Sequence, residues 1–418
     1  MIYQRPHCSL LLLFCVCIAT TAKAQNSLSV LDTFPFIHYE KNVLLFADKS
    51  KTMQVFLSKF DTVVSTHQGN INIVQIGGSH VQAGDFPHSI RKNILLIYPD
   101  LITRRGFIFP YSAAPNCNNP RDYKISAKQR FFLTRNVYQN LDKELGVSGI
   151  AVSTGDSIVE IKVSMLDLDL HFETDTICIL GYADKNSIIP TITIDSIEYN
   201  PFRIDSILRR FYYQVHNFQD NFTINIDNSA LTDTFTITGL LLDHSKAGIT
   251  YHSIGVNGAK SSSYLKCNYF TTDLELLRPD LVIFGLGIND AFTKDFDSVA
   301  FVQNYMTLME KIRSVNPQCA FIFITNNDSY RKISRKNYEV NTNALIVQRQ
   351  FYELAQKSDA VVWDQFEIMG GLKSMEIWLN HNLAQRDRVH FTPTGYQLLG
   401  NLFSEALLQV INQYQLEK

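Results

Sequence analysis

A serine and an Asp-x-x-His lie far apart in this chain, each where a strand gives way to a helix. Ser79 stands in Ile76-Gly77-Gly78-Ser79-His80, directly after the apolar run Ile71 to Ile76, and Asp387-Arg388-Val389-His390 precedes Phe391-Thr392-Pro393. A serine hydroxyl is a weak nucleophile until an imidazole takes its proton, and the imidazole needs a carboxylate to fix its tautomer. Ser79, His390 and Asp387 are candidates for nucleophile, base and orienter. Between them lie Val256-Asn257-Gly258-Ala259 and Gly287-Ile288-Asn289-Asp290. The Ser79 and Gly258 backbone N–H groups and the Asn289 amide are candidate oxyanion donors; one such donor typically contributes about 3 kcal/mol to a transition state. Together this is the inventory of acyl transfer. Taken singly, each motif is ordinary: a loop serine, a turn glycine, a common Asp-x-x-His.

The elements that must position these residues alternate between strand and helix. Met53, Phe56, Leu57, Phe60 and Val63 recur at helical spacing, Asn72 to Ile76 reads as the first strand, and Asp85-Phe86-Pro87 reads as a helix start with Asp85 as cap. From about residue 120 the pattern changes to period two. Val159, Ile161 and Val163 alternate with polar residues, as do Leu166 to Glu173, Ile192 and Ile194, then Phe222, Ile224 and Ile226, then Phe235 and Ile237. Such runs, separated by turn residues, predict an antiparallel β-sandwich inserted over 121–245. Alternation of strand and helix resumes with Ile249 to Ile254 and Leu281 to Phe284. A helix follows through Phe301, Val302, Tyr305, Met309 and Ile312, then the strand Ala320 to Ile324 and a helix through Val340, Ala344, Val347, Phe351 and Leu354. The strand Ala360 to Trp363 comes next, and a last helix is capped by Thr392. The fold class is therefore α/β, a parallel sheet covered on both faces and interrupted by a β-domain.

At 418 residues the chain suits two or three compact units rather than one core. Arg5, the apolar run Leu10 to Ala19 and Ala22-Lys23-Ala24 predict a cleaved signal over 1–24, hence export to the periplasm or beyond. The run is shorter than the about 20 apolar residues that span a bilayer. A net charge of −2 gives no basic field for nucleic acid or an anionic membrane, so neutral, glycan-like partners fit better. Of seven cysteines, Cys117, Cys178, Cys267 and Cys319 lie beyond the signal, too scattered for a disulfide framework and without metal-ligand spacing; free thiols or a single bridge remain as readings.

The ordered set Gly-x-Ser, Gly258 before Ala259, Gly-x-Asn-Asp and Asp-x-x-His before a final helix resembles the SGNH, or GDSL-type, hydrolase family over residues 70–118 and 246–415. The resemblance implies a flavodoxin-like three-layer fold, with 25–120 and 246–418 forming one domain, and ester hydrolysis without a cofactor. It implies Ser79 as nucleophile, Asp387 and His390 as its triad partners, and Gly258 and Asn289 as oxyanion donors. Gly78 departs from the family, which usually has Asp there, so the turn needs other bracing or activity is lowered. The placement of the β-insert is similar to the peptidoglycan O-acetylesterase branch, whose insert resembles a carbohydrate-binding module. That similarity implies acetyl esters of peptidoglycan or another polysaccharide as substrate. It extends to Phe107 to Tyr111, Asn118-Asn119-Pro120, Asn326 to Tyr330 and Met369-Gly370-Gly371. Loops after strands carry substrate contacts in such folds, which makes Asn327, Asp328 and Tyr330 candidates. Tyr212-Tyr213 are candidates to stack on sugars, while His80 and Asp85 read as structural. The alternatives are a polysaccharide O-acetyltransferase, which shares the triad, and a glycan-binding protein with a decayed hydrolase domain.

Overall fold

The computed structural model describes residues 34–113, 117, 119–166, 173–185, 188–218, 221–230, 233–335 and 337–418. The 1–24 signal reading, Asn118 and most of the alternating run Leu166 to Glu173 lie outside them; the flanking strands end at Met165 and begin at Thr174.

A seven-stranded sheet carries the α/β part. Its order is Leu44–Leu45, Val361–Trp363, Ala320–Ile324, Leu281–Gly285, Asn70–Gly77, Gly248–Gly255, Ile102–Arg104, parallel except for the first strand. Strand Asn70–Gly77 is interior: on one side the edge strand Ile102–Arg104 comes first and Gly248–Gly255 fills the gap after the insert, and the chain then builds outward on the other side. Ligands in open α/β sheets bind at such a reversal, outside the carboxyl ends of the strands. Alternate side chains divide between two layers. Ile71, Ile73, Leu281, Ile283, Ile322 and Trp363 join the core under helices Lys51–Thr66, Asp85–Ile97 and Pro393–Leu416. Val74, Ile76, Val282, Phe284, Phe321 and Phe323 face helices Ser298–Val315 and Asn343–Ser358.

Two local expectations change. Asp85 is the first helical residue, and Gly84 is the cap at φ 85°. A Cβ there would lie 2.7 Å from the Pro120 side chain, so the turn takes glycine for both conformation and space. Val340 belongs to a hairpin, Tyr330–Lys332 with Tyr338–Val340, that precedes its helix.

The insert is a sandwich of two antiparallel sheets. Its inward alternation pairs across strands as Val159 with Ile226, Ile161 with Ile224 and Val163 with Phe222. The second sheet also takes Phe107–Ile108, so pairing with the insert starts before residue 121. Tyr213 is core, with its hydroxyl donating to Pro190 O at 2.6 Å, and the Arg203 guanidinium lies over Tyr212 at 4.9 Å. One contiguous apolar cluster runs from the second face of the parallel sheet into the sandwich. The four cysteines from Cys117 onward are free, three of them buried.

Charged groups are buried along this junction. Asp122 sits between Arg91 and Arg105, its Oδ2 bonded to Arg91 Nη2 and 2.8 Å from Arg105 Nε, with all three side chains at most 2% exposed. Burial works against the carboxylate, yet Arg105 and Arg91 outweigh it and hold Asp122 below its ordinary range. Across the same junction Asp273 accepts from the Val147 N–H at 2.9 Å. Burial pushes this carboxyl up from 3.8 to about 7. The folded state thus holds a proton that the unfolded chain has released, and stability rises as pH falls from about 7 toward about 4. Asp273→Asn is expected to flatten this slope, measured as melting temperature against pH for both proteins.

Candidate active site

The sharp turn after Asn70–Gly77 leads into a short helix, Ser79–Gln82, with Gly78 ahead of it at φ −98° and Ser79 as its first residue. Ser79 Oγ lies 2.8 Å from His390 Nε2, and His390 Nδ1 lies 2.7 Å from Asp387 Oδ2. Burial would raise the Asp387 carboxyl. The His390 imidazole and the backbone N–H groups of His390 and Val389 instead hold it at about 2, ionised at any pH where the imidazole acts as base. The relay is open, with the His390 side chain 34% and the Asp387 side chain 46% exposed.

The base loop is held from both sides. Gln385 N–H donates to His390 O at 2.7 Å, and the Gln385 amide donates to Phe391 O at 2.9 Å. Thr392 caps helix Pro393–Leu416 by accepting from Gly395 N–H. Arg388 adopts φ +60° within the loop, and its guanidinium lies 4.1 Å from the Tyr338 ring centroid of the hairpin.

Asn327, Asp328 and Tyr330 sit beneath this loop, at 3, 0 and 7% exposure. The Asn327 amide donates to Val389 O at 3.0 Å, and the Tyr330 N–H donates to Arg388 O at 3.1 Å. Asp328 accepts from Met375 N–H, and burial raises its carboxyl to about 6. None of the three opens its side chain to solvent; Asn327 and Tyr330 hold the segment carrying His390, and Asp328 holds the start of helix Ser374–Asn380.

Two loops close the other side of Ser79. Asn289 Nδ2 donates to Ala259 O at 2.9 Å, and a Cβ built on Gly78 would lie 3.4 Å from that nitrogen. One amide hydrogen is thereby spent on orientation while the group rests against the nucleophile turn. Asp290 accepts from Ser261 N–H and Oγ–H, tying the Asn289 helix to the Gly258 loop. Gly258 is at φ +83°, a conformation open mainly to glycine. The bracing that an Asp at 78 would provide comes from elsewhere. The Tyr264 hydroxyl donates to Gly77 O at 2.9 Å, Tyr111 donates to Gly255 O at 2.7 Å, and Gln82 Oε1 accepts from Asn257 N–H at 2.8 Å.

Beside the base, the His80 ring centroid is 5.2 Å from that of His390, and His80 Nδ1 pairs with the Tyr396 hydroxyl at 2.8 Å. Burial of the ring, reinforced by His390, holds the His80 pKa down to about 3. A neutral His80 adds no second cation beside the base. Its Nε2, Gln75 Nε2 and Asn326 Nδ2 are sealed from solvent without a hydrogen-bond partner among the described residues, and all three residues line one chamber of about 40 Å³ behind the turn. That size and polarity suit ordered water. Sequence reading passed over Gln82, Tyr264 and Tyr396, and noted Tyr111 only within the stretch Phe107 to Tyr111. Only Gln82 carried a local signal, on the short helix that begins with Ser79.

Residues 237–398 match the model of the GDSL-like lipase/acylhydrolase family. Over that stretch the chain resembles the SGNH-type hydrolases. It is a carboxylic ester hydrolase on the flavodoxin-like α/β fold expected of that family. A structure of a peptidoglycan O-acetylesterase is similar to this hydrolase at a TM-score of 0.71 and 20% identity, over 88% of this chain and 97% of that one. An acetyl xylan esterase is 20% identical over 38% of this chain and 81% of its own, with a TM-score of 0.30. A lipase/acylhydrolase from Enterococcus faecalis is 21% identical over 39% and 76%, also at 0.30. No curated protein sequence matches the hydrolase. Among the described residues no helix is long and apolar enough to cross a membrane.

Proposed function

We propose that this hydrolase is exported and removes O-acetyl groups from a carbohydrate polymer, peptidoglycan or another polysaccharide, through an acyl-serine intermediate. The observation that carries the reading is the unbroken relay from Ser79 to His390 to Asp387, set against the Gly258 and Asn289 loops. His390 Nε2 takes the Ser79 proton as Oγ attacks the ester carbonyl. The Ser79 and Gly258 N–H groups and the Asn289 amide receive the oxyanion, and Asp387 stabilises the imidazolium. The imidazolium then protonates the departing sugar oxygen. In the second half His390 takes a proton from water, hydroxide adds to the acyl-serine, and acetate leaves as Ser79 regains its proton.

The open setting of the relay supports a polymer substrate, because an ester on a chain must reach Ser79 without being swallowed whole. The fold similarity to a peptidoglycan O-acetylesterase, insert included, supports acetyl as the acyl group and glycan as the carrier. Export is supported by the basic, apolar and small-residue order before Gln25.

The test is acetate release by the protein starting at Gln25 from O-acetylated peptidoglycan and from acetylated xylan. Release from one polymer names the substrate class. Failure on both, with intact turnover of p-nitrophenyl acetate, rejects the carbohydrate reading. Acetyl transfer to a sugar hydroxyl exceeding hydrolysis would make it a transferase.

A further inference from the structure

We infer that Arg135, supplied by the β-insert, is a positioning residue that fixes the orientation of the Asn257–Gly258 peptide and thereby aims the Gly258 N–H; this rests on the reading of that N–H as an oxyanion donor. Arg135 Nη2 donates to Asn257 O. A peptide unit is planar and trans, so a carbonyl anchored on one side fixes the N–H on the opposite side. Such anchoring matters here because Gly258, at φ +83°, carries no Cβ to bar the peptide from turning over. Gln82 Oε1 holds the preceding N–H, that of Asn257, at 2.8 Å. The loop is thus gripped by the nucleophile helix on one side and by the insert on the other. A cation on the carbonyl also polarises the peptide toward a stronger N–H donor.

Arg135 is itself well fixed. It ends strand Phe132–Arg135 and pairs with Ile150. Its carbonyl accepts from Tyr138 N–H at 3.0 Å, and its guanidinium carbon lies 6.0 Å from the Tyr138 ring centroid. Lys266 of the hydrolase part donates to Tyr138 O at 3.0 Å, and a Cβ on Gly258 would lie 3.9 Å from Val137 Cγ1. The insert therefore reaches the catalytic loop through a packed turn, and its contribution extends to substrates too small to touch it.

The experiment compares the full protein from Gln25 with Arg135→Gln and Arg135→Lys on p-nitrophenyl acetate, with Ser79→Ala as the blank. Arg135→Gln is expected to lose at least tenfold in kcat with KM within twofold and melting temperature unchanged, while Arg135→Lys recovers part of the loss. A phosphonate transition-state analogue is expected to lose affinity for Arg135→Gln by the same factor. Independently of turnover, the Gly258 amide resonance should shift and exchange faster in Arg135→Gln. An unchanged Gly258 resonance, or unchanged kcat, overturns the inference. Turnover that is no greater than the Ser79→Ala blank, with the Gly258 resonance moved, leaves the positioning in place and removes the esterase reading instead.

Discussion

Ser79→Ala is expected to lower kcat for acetyl-ester hydrolysis by ~10⁴-fold or more, since removal of a triad member leaves only the catalysis of binding and oxyanion donors. In the proposed mechanism Oγ is the atom that bonds the acyl carbon, and in this structure it is already 2.8 Å from His390 Nε2. His390→Ala should cost about as much, and the double variant no more than either single one, because the pair acts as a unit. Asn289→Ala should lose roughly 10²- to 10³-fold in kcat. Initial rates on p-nitrophenyl acetate, with mass spectrometry for a 1:1 acyl adduct on Ser79, measure all of these. A Ser79→Ala protein that retains full activity ends the proposed mechanism.

The largest expected effect on stability lies at a distance from the site. Asp122→Asn should destabilise the fold by about 3–5 kcal/mol, because two guanidinium groups would remain buried against a neutral partner. The aromatic faces beside them, Tyr251 at 6.0 Å from Arg91 and Tyr123 at 5.4 Å from Arg105, are weak substitutes for a carboxylate. Replacing the whole cluster, as Arg91→Met, Asp122→Leu and Arg105→Met together, should recover most of the loss, since well-packed apolar groups avoid the desolvation cost altogether. Urea denaturation of the three proteins distinguishes these cases. If Asp122→Asn unfolds at the wild-type midpoint, the cluster does not hold the junction.

How much of this was legible depends on the range of each interaction. The turn around Ser79 and the Thr392 cap were readable because each is built within a few residues. The buried strands were readable as continuous apolar runs, and the sandwich strands as alternation. The groups that brace the site were hidden: Gln82 meets Asn257 and Tyr264 meets Gly77 only after the sheet has formed, 175 and 187 residues apart. Asn327 and Tyr330 sit on the strand-following loop that pattern reading singled out, yet pattern cannot tell a side chain that faces substrate from one that faces the back of the base loop. Asp85 failed as a cap because Gly84 gains more from its left-handed turn against Pro120 than an aspartate one position later could offer.

The interior position of strand Asn70–Gly77 has a consequence in time. Both of its neighbours, Gly248–Gly255 and Leu281–Gly285, follow the insert in the chain, and the base that serves Ser79 is 311 residues downstream. Local contacts alone cannot finish this sheet, so its assembly is a slow, late event of high contact order. During synthesis, strand Asn70–Gly77 waits unpaired on both edges until the sandwich has emerged behind it. Ser79 accordingly stays unarmed until nearly the whole chain has been made, and the proposed relay closes only when two segments 311 residues apart meet.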